Sequence, residues 1–455
     1  MGVVLELSEF TENTKFHDIP EDVIEFSKMI LMKTIAGMLY GSAVPSSKKF
    51  LRFSKTGKDE AGVIGCGFRT STEAAAFING LFAHTAELED DCFPTDEFPG
   101  AGATADITVF PVILPLADMF KLSGEDVLEA SVLGCEIMNR FGHHGVGVGN
   151  RVIEALGFTS LPFYGVIGSA VAASKVLNLS QDQIRNALGL AIATSSGFIV
   201  NFGSDAHYYE SAIACSNGLM AAYLAKEGCT GNPNVEKWLN SLVGAEERET
   251  SRISFGLLER WYTKHFWIKK YPVCFLMHRH LDIIGKLIRE GGLKHGQVEW
   301  IEVEVGPVDA TIDRSDPKDL EDAKFSIQHV VSCLMLDGEV GVDTINWRKL
   351  EGEKYKNFRK KVRVRVHEEW PKTFMSGVGR VRIRLKDGRE ITEELDQVIG
   401  GPKYPLSKED FIKLYERFAG VVLNKAQIDR SVEILLNLEK KKDLKELLDI
   451  IIFRK

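Results

Sequence analysis

The sequence predicts a mainly α fold, with a large all-helical domain and a smaller α+β domain. Three patterns carry this prediction. Up to about residue 265, apolar residues recur at helical spacing between recognisable helix starts and stops. Beyond it, runs with a period of two, apolar then charged, interleave with helical segments. From Leu406 the pattern is helical again. The predicted organisation is 1–265 for the helical domain, 266–404 for the α+β domain, and 405–455 for C-terminal helices packing on the first domain.

The elements follow in order. Pro20, Glu21 and Asp22 open a helix, because proline fits a first turn and acids there complement the helix dipole. Val23, Phe26 and Ile30 continue it at helical spacing. Thr70 and Glu73 read as a capping box before the alanine-rich STEAAAFINGLFAH. Ser123 and Glu125 precede the helix VLEASVLGCEIMNRF. Three further helices, YGVIGSAVAASKVLNL, SQDQIRNALGLAIATSSG and ESAIACSNGLMAAYLAKEG, are rich in small residues that permit close helix packing. The strands are VEWIEVEVGP, KKVRVRVHEEW and GRVRIRLKDGREIT, the last with Asp387-Gly388 as a hairpin turn. FLMHRHLDIIGKLIREGG and AKFSIQHVVSCLMLDG are helices between them, and Ser407 with Asp410 opens the C-terminal helices.

The totals narrow the function. The net charge of −8 argues against non-specific nucleic-acid binding. No run of about 18 apolar residues suggests a membrane span, and MGVVLELSEF lacks the basic-then-apolar pattern of a secretory signal, so a cytoplasmic location is expected. The seven cysteines are scattered without a C-x-x-C pair. That pattern fits reduced thiols and gives no zinc or iron–sulfur site. Gly145, Gly147 and Gly149 mimic a phosphate loop but lack the G-x-G-x-x-G spacing and a following lysine.

The stretch AHTAELEDDCFPTDEFPG is the chemical anomaly, with Glu87, Glu89, Asp90 and Asp91 packed into five residues behind an apolar helix. If that helix runs from Ser71 to Asp91, then at about 100° per residue His84, Glu87 and Asp91 share one face. Carboxylates there oppose the helix dipole, and Glu87 and Asp91 repel each other. A histidine beside paired carboxylates can act as an acid/base cluster.

The same stretch, from Asn79 through His84-x-x-Glu87-Leu88-Glu89-Asp90-Asp91 to Phe98-Pro99-Gly100, resembles the N-terminal signature of the MmgE/PrpD family. That signature is approximately N-x-x-x-x-H-x-x-D-[FY]-D-D-T followed by H-P-[GS]. GSAVAASKVLNLSQDQIRNALGLA, AAYLAKEGCTGNP, Lys269-Lys270-Tyr271-Pro272-Val273-Cys274 with His278, AKFSIQHV and GGPKYPLSKEDF are similar to later family motifs, in order. The resemblance covers nearly the whole chain. It implies a helical domain with an α+β lid domain, a homodimer, an interdomain active site, and no metal or organic cofactor. The family includes 2-methylcitrate dehydratase, cis-aconitate decarboxylase and iminodisuccinate epimerase. The implied partner is therefore a small anionic carboxylate, with neither nucleic acid nor membrane involved.

Carried over by position, Lys269 stands at the family's active-site lysine and His84 at its histidine. Glu87 and Asp91 fall in the acidic motif, and His207 falls where the family has a lysine, with Glu210 where a histidine follows it. These give the expected catalytic set Lys269, His207, His84, Glu87 and Asp91. Asp90, Arg140, Lys270 and His278, which lies four residues after Cys274, are the expected substrate-binding residues. Two family histidines are absent, at Phe98 (FPG) and in Gly157-Phe158-Thr159. His143 and His144 lie near the second gap in sequence. The expected reaction is hydro-lyase chemistry by α-proton abstraction. Epimerisation or decarboxylation on the same framework, and a non-catalytic metabolite-binding homologue, are the alternatives.

Overall fold

The computed structural model describes residues 2–53, 55, 57–93, 103–143 and 157–452. The fold is mainly α, with a smaller α+β part. Leaving the shortest helices unlabelled, the first part holds α1 (Val3–Asn13), α2 (Glu21–Ala43), β1 (Ala61–Val63), β2 (Phe68–Thr70), α3 (Thr72–Thr85), α4 (Asp106–Phe120), α5 (Gly124–His143), α6 (Ser160–Val176), α7 (Gln181–Ile192), α8 (Asp205–Lys226) and α9 (Val235–Val243). The second holds α10 (His278–Arg289), β3 (Val298–Val305), α11 (Ile327–Asp337), α12 (Glu353–Arg359), β4 (Val362–Val366), β5 (Gly379–Leu385) and β6 (Glu390–Leu395). α13 (Lys408–Ala419), α14 (Lys425–Leu436) and α15 (Lys445–Ile452) follow. Two compact units result: 1–200 with 206–266 and 407–455, and 201–205 with 267–406.

In the first unit α2 is buried along most of its length and packs on α3 and α13. Small residues set the spacing. A Cβ on Gly41 would lie 1.9 Å from the Phe82 carbonyl oxygen, so α2 and α3 approach closer than a side chain allows. A Cβ on Gly80 would lie 2.5 Å from Cys215 Sγ, which draws α3 onto α8. That contact lies one turn from His84 on one helix and two from His207 on the other. The unit is not wholly helical, because β1 and β2 form an antiparallel hairpin. Gly65 and Gly67, both at positive φ, make its turn. The cap of α3 is Ser71, whose Oγ accepts from Ala74 N at 3.3 Å, while the expected Thr70 ends β2.

The second unit's sheet has the order β4-β3-β5-β6, with β3 and β4 parallel and the other pairs antiparallel. Ile301, Val303 and Val305 are buried. Glu302 and Glu304 stand opposite Arg382 and Arg380 on β5, forming ion pairs at 3.2 and 2.7 Å. This explains the alternation: one face is core and the other is a ladder of arginine and glutamate. Among the described residues no helix is long and apolar enough to cross a membrane.

Candidate active site

α3 ends at Thr85, six residues before the expected Asp91. Ala86 caps it, and Glu87 follows with φ 50, donating its N–H to the His84 carbonyl at 2.9 Å. This is the left-handed position that closes many helices and favours glycine. The shared helical face of His84, Glu87 and Asp91 therefore does not form. The physical reason is the one that made the run odd: continuing the helix would stack like charges against its negative pole. The reversal keeps Glu87 with His84 and separates Asp91. The half-buried Asp91 carboxylate instead accepts from Cys92 N at 2.8 Å and Thr104 Oγ1 at 3.4 Å.

His207, on the first turn of α8, completes a cluster with His84 and Glu87. One donor atom from each lies within 4.8 Å of the others, and all three residues are buried. The two imidazole rings are 4.1 Å apart between centroids, tilted by 66°. Tyr208 meets His84 edge-on at 5.2 Å. Ser211 Oγ lies 2.9 Å from the Tyr208 carbonyl oxygen and 3.0 Å from His84 Nδ1. Glu210 Oε2 lies 4.0 Å from His207 Nδ1, while its Oε1 accepts from Phe198 N at 2.9 Å.

A second buried network fixes the segment beyond Glu87. Lys33 Nζ, from the middle of α2, donates to the Leu88 carbonyl and to Asp90 Oδ1. Asp90 N donates to both Asp106 oxygens at 3.2 Å, and Thr34 Oγ1 donates to Asp106 Oδ2, also at 3.2 Å. Burial, and then the charge of Asp90, push the Asp106 carboxyl up to about 8 against the pull of Lys33. Asp90, expected to bind substrate, instead anchors the chain. Lys33, Asp106 and Ser211 escaped the sequence reading. The signal for Lys33 was a lysine inside the apolar run MILMKTIAGM.

Arg140 is fully buried and engaged. Its Nε pairs with Glu136 Oε1 at 2.7 Å. Its Nη1 donates to the Ile253 and Phe255 carbonyls at 3.3 and 2.9 Å, and its Nη2 to those of Gly256 and Arg260 at 3.2 and 2.6 Å. This pins the 253–260 loop. Phe158, in the Gly157-Phe158-Thr159 segment that lacks one family histidine, stacks on Phe198 at 4.7 Å.

In the second unit Lys269 is 1% exposed, just after Ile268, whose N–H bonds the Gly400 carbonyl at 3.0 Å. Lys270 pairs with Asp282, which also accepts from Tyr271 Oη at 2.9 Å and Ile399 N at 3.0 Å. His278 begins α10, stacked on Phe275 at 4.8 Å, with Nε2 3.3 Å from the Val273 carbonyl oxygen. Cys274, with φ −47 and ψ 131, precedes the helical turn Phe275–Met277 and lies outside the helix that His278 begins. Phe98, His144 and the Gly145–Gly149 loop lie outside the described residues, and of His143 only the backbone is described.

Residues 5–237 match the MmgE/PrpD N-terminal domain and 271–440 the MmgE/PrpD C-terminal domain, so the chain belongs to the MmgE/PrpD family. It is similar to the cis-aconitate decarboxylase of Aspergillus terreus (strain NIH 2624 / FGSC A1156), 26% identical over 99% of this chain and 96% of the relative. It is also similar to the cis-aconitate decarboxylases of Mus musculus and Homo sapiens. These are 25% and 24% identical over 94% of this chain, covering 89% and 90% of those proteins.

Proposed function

We propose that this chain is a lyase acting on a small di- or tricarboxylate by moving a proton at a carbon next to a carboxylate. The observation that supports it most is the buried meeting of His84, Glu87 and His207, in a chain whose similarity to cis-aconitate decarboxylases runs almost end to end. Histidine suits the task because its ordinary pKa lies near neutrality. His207 and His84 are the assigned proton carriers. Glu87 is assigned to orient them, and Lys269 to bind a substrate carboxylate.

Two reactions use such a set. In decarboxylation, the carbon–carbon bond breaks, carbon dioxide leaves, and the electron pair left on carbon takes a proton from an acid. In dehydration, a base removes the α-proton and an acid protonates the departing hydroxyl. The relatives' names favour decarboxylation, with a 2-methylcitrate-type dehydration as the second reading. The same proposal takes the protein as a homodimer, checked by light scattering.

The test is a panel of cis-aconitate, citrate and 2-methylcitrate in deuterated buffer. Carbon dioxide release with deuterium entering the product supports decarboxylation, and growth of enoate absorbance supports dehydration. Exchange with neither supports an epimerase. No exchange, no carbon dioxide and no absorbance change on any substrate would overturn the enzymatic reading. Lys269→Ala and His207→Ala should each reduce turnover by about 10²–10⁴-fold.

A further inference from the structure

We propose, resting on the homodimer reading, that the outward face of α8 is the surface that docks a second copy of this chain. The two helices cross antiparallel, with the two-fold axis at Ser216 and Asn217.

One side of α8 packs inward through small residues. A Cβ on Gly218 would lie 2.3 Å from Ser169 Cβ on α6, as one on Gly80 would meet Cys215. The other side faces solvent. At about 100° per residue, Tyr209, Ile213, Ser216, Asn217, Met220 and Leu224 share an arc of about 100°. Tyr209, Met220 and Leu224 are 45, 42 and 39% exposed, and the other three are half-buried. Between Ala206 and Leu224 there is no lysine or arginine, and the one carboxylate, Glu210, is buried, as is His207. About five turns of a surface helix thus expose no charge, where charged and polar residues are the rule. Contiguous apolar surface of this kind marks an interaction site. Phe77 on α3 and Phe50 lie 6.0 and 6.4 Å from Tyr209 between ring centroids and widen the patch.

Two features select a second copy as the occupant. The first is the order of side chains. The face consists of two i, i+4 ridges, one of Tyr209, Ile213 and Asn217, the other of Ser216, Met220 and Leu224. Turning the helix end for end about its midpoint exchanges them. Tyr209 then falls opposite Leu224, Ile213 opposite Met220, and Ser216 opposite Asn217. Each bulky side chain meets an apolar one, and the smaller polar pair lies at the crossing, where the backbones come closest. A two-fold interface requires this self-complementarity. The second feature is charge. Each copy carries a net charge of −8, so two copies meet with least repulsion at a face that carries none. A strongly charged partner would find no ion pair there. A stable dimer buries roughly 800 Å² on each partner, and the shoulder of Phe50 and Phe77 supplies width that one helix lacks.

The test uses the full-length protein. Light scattering after gel filtration should give twice the chain mass of 50.7 kDa. Ile213→Glu and Met220→Lys each set a charge against an apolar residue of the copy, and each should weaken dimerisation about 100-fold or more. Combined in one chain, they put the new carboxylate opposite the copy's new ammonium, and should recover about tenfold or more of that loss. Far-ultraviolet circular dichroism confirms that the variants are folded. A crosslink tests the register without a charge in the face. Ser216→Cys, in a Cys229→Ser background that removes an exposed thiol, should form a disulfide-linked dimer on mild oxidation. Lys226→Cys in the same background should not, because its two copies would lie about 28 Å apart along the helices, far beyond disulfide reach. A dimer that persists unchanged in folded Ile213→Glu and Met220→Lys, with no crosslink at position 216, overturns this face and leaves the homodimer standing. A monomeric wild-type protein overturns both, and neither outcome touches the lyase reading.

Discussion

Glu87 offers a sharp separation of backbone cost from chemical use. Its φ of 50 places an L-residue where the Cβ crowds the following carbonyl, at roughly 1–2 kcal/mol. Glycine avoids that cost but gives back about 0.4–1 kcal/mol through the freedom of its unfolded chain. Glu87→Ala and Glu87→Gly lose nearly the same buried side chain, so cavity and desolvation effects largely cancel between them. The glycine variant should therefore be more stable than the alanine variant by about 0.5–1 kcal/mol, read from urea unfolding followed by tryptophan fluorescence. Both should lose proton-transfer activity by about 10²-fold or more in the deuterium-exchange assay. Glu87→Gln, which keeps the volume, should lose activity as well. If glycine is no more stable than alanine, the backbone at 87 carries no strain. If the glycine variant is stable and fully active, the carboxylate is not used, and a glutamate at this position has no chemical role.

Three further outcomes follow from the buried charges. Lys33→Met strands the Asp90 carboxylate without its cation and should cost about 3 kcal/mol, with most of it recovered in Lys33→Met/Asp90→Leu; a double-mutant cycle by denaturant unfolding checks this. Asp106 is protonated in the folded state up to about 8 but ionises near 3.8 when exposed. The native state thus binds the extra proton between these values, and stability should fall as pH rises through that window and level off above it. Asp106→Asn should remove this fall, as seen by comparing unfolding free energies of the two proteins across the range. Arg140 donates to Glu136 and to four backbone carbonyls, so Arg140→Lys should lower stability while leaving the KM of the folded enzyme unchanged. A raised KM at intact stability would return Arg140 to substrate binding.

Much of the fold was legible because it rests on local rules. The sheet strands announced themselves by alternation, since one face meets the core and the other an ion-pair ladder. Ser407 with Asp410 caps α13 as expected, with reciprocal bonds at 3.0 and 3.2 Å. The candidate site was legible in position and less so in partnership. His84, Glu87 and His207 were named and do meet. Asp90, Arg140 and Lys270 were named for substrate and instead hold the chain. Their partners explain why. Asp90 is held by a lysine 57 positions away, and Arg140 by carbonyls 113 to 120 positions away. A carbonyl leaves no mark in the side-chain pattern, so a cation it consumes looks the same in sequence as one that awaits a substrate.

The acidic run shows how little backbone change separates those two fates. Had α3 continued, Glu87 and Asp91 would face each other at i, i+4, both carrying charge toward the helix's negative end. One left-handed residue removes that conflict and sorts the run. Glu87 turns back to His84 and His207, Asp90 reaches Lys33, and Asp91 caps its own turn. The Lys33 network then matters to the cluster even though its members are absent from it, because it fixes the chain immediately after the reversal at Leu88 and Asp90. Loss of that anchor should therefore loosen the placement of Glu87 as well as lower stability. In the folded fraction of Lys33→Met, proton-transfer activity should drop more than the unfolded fraction alone accounts for.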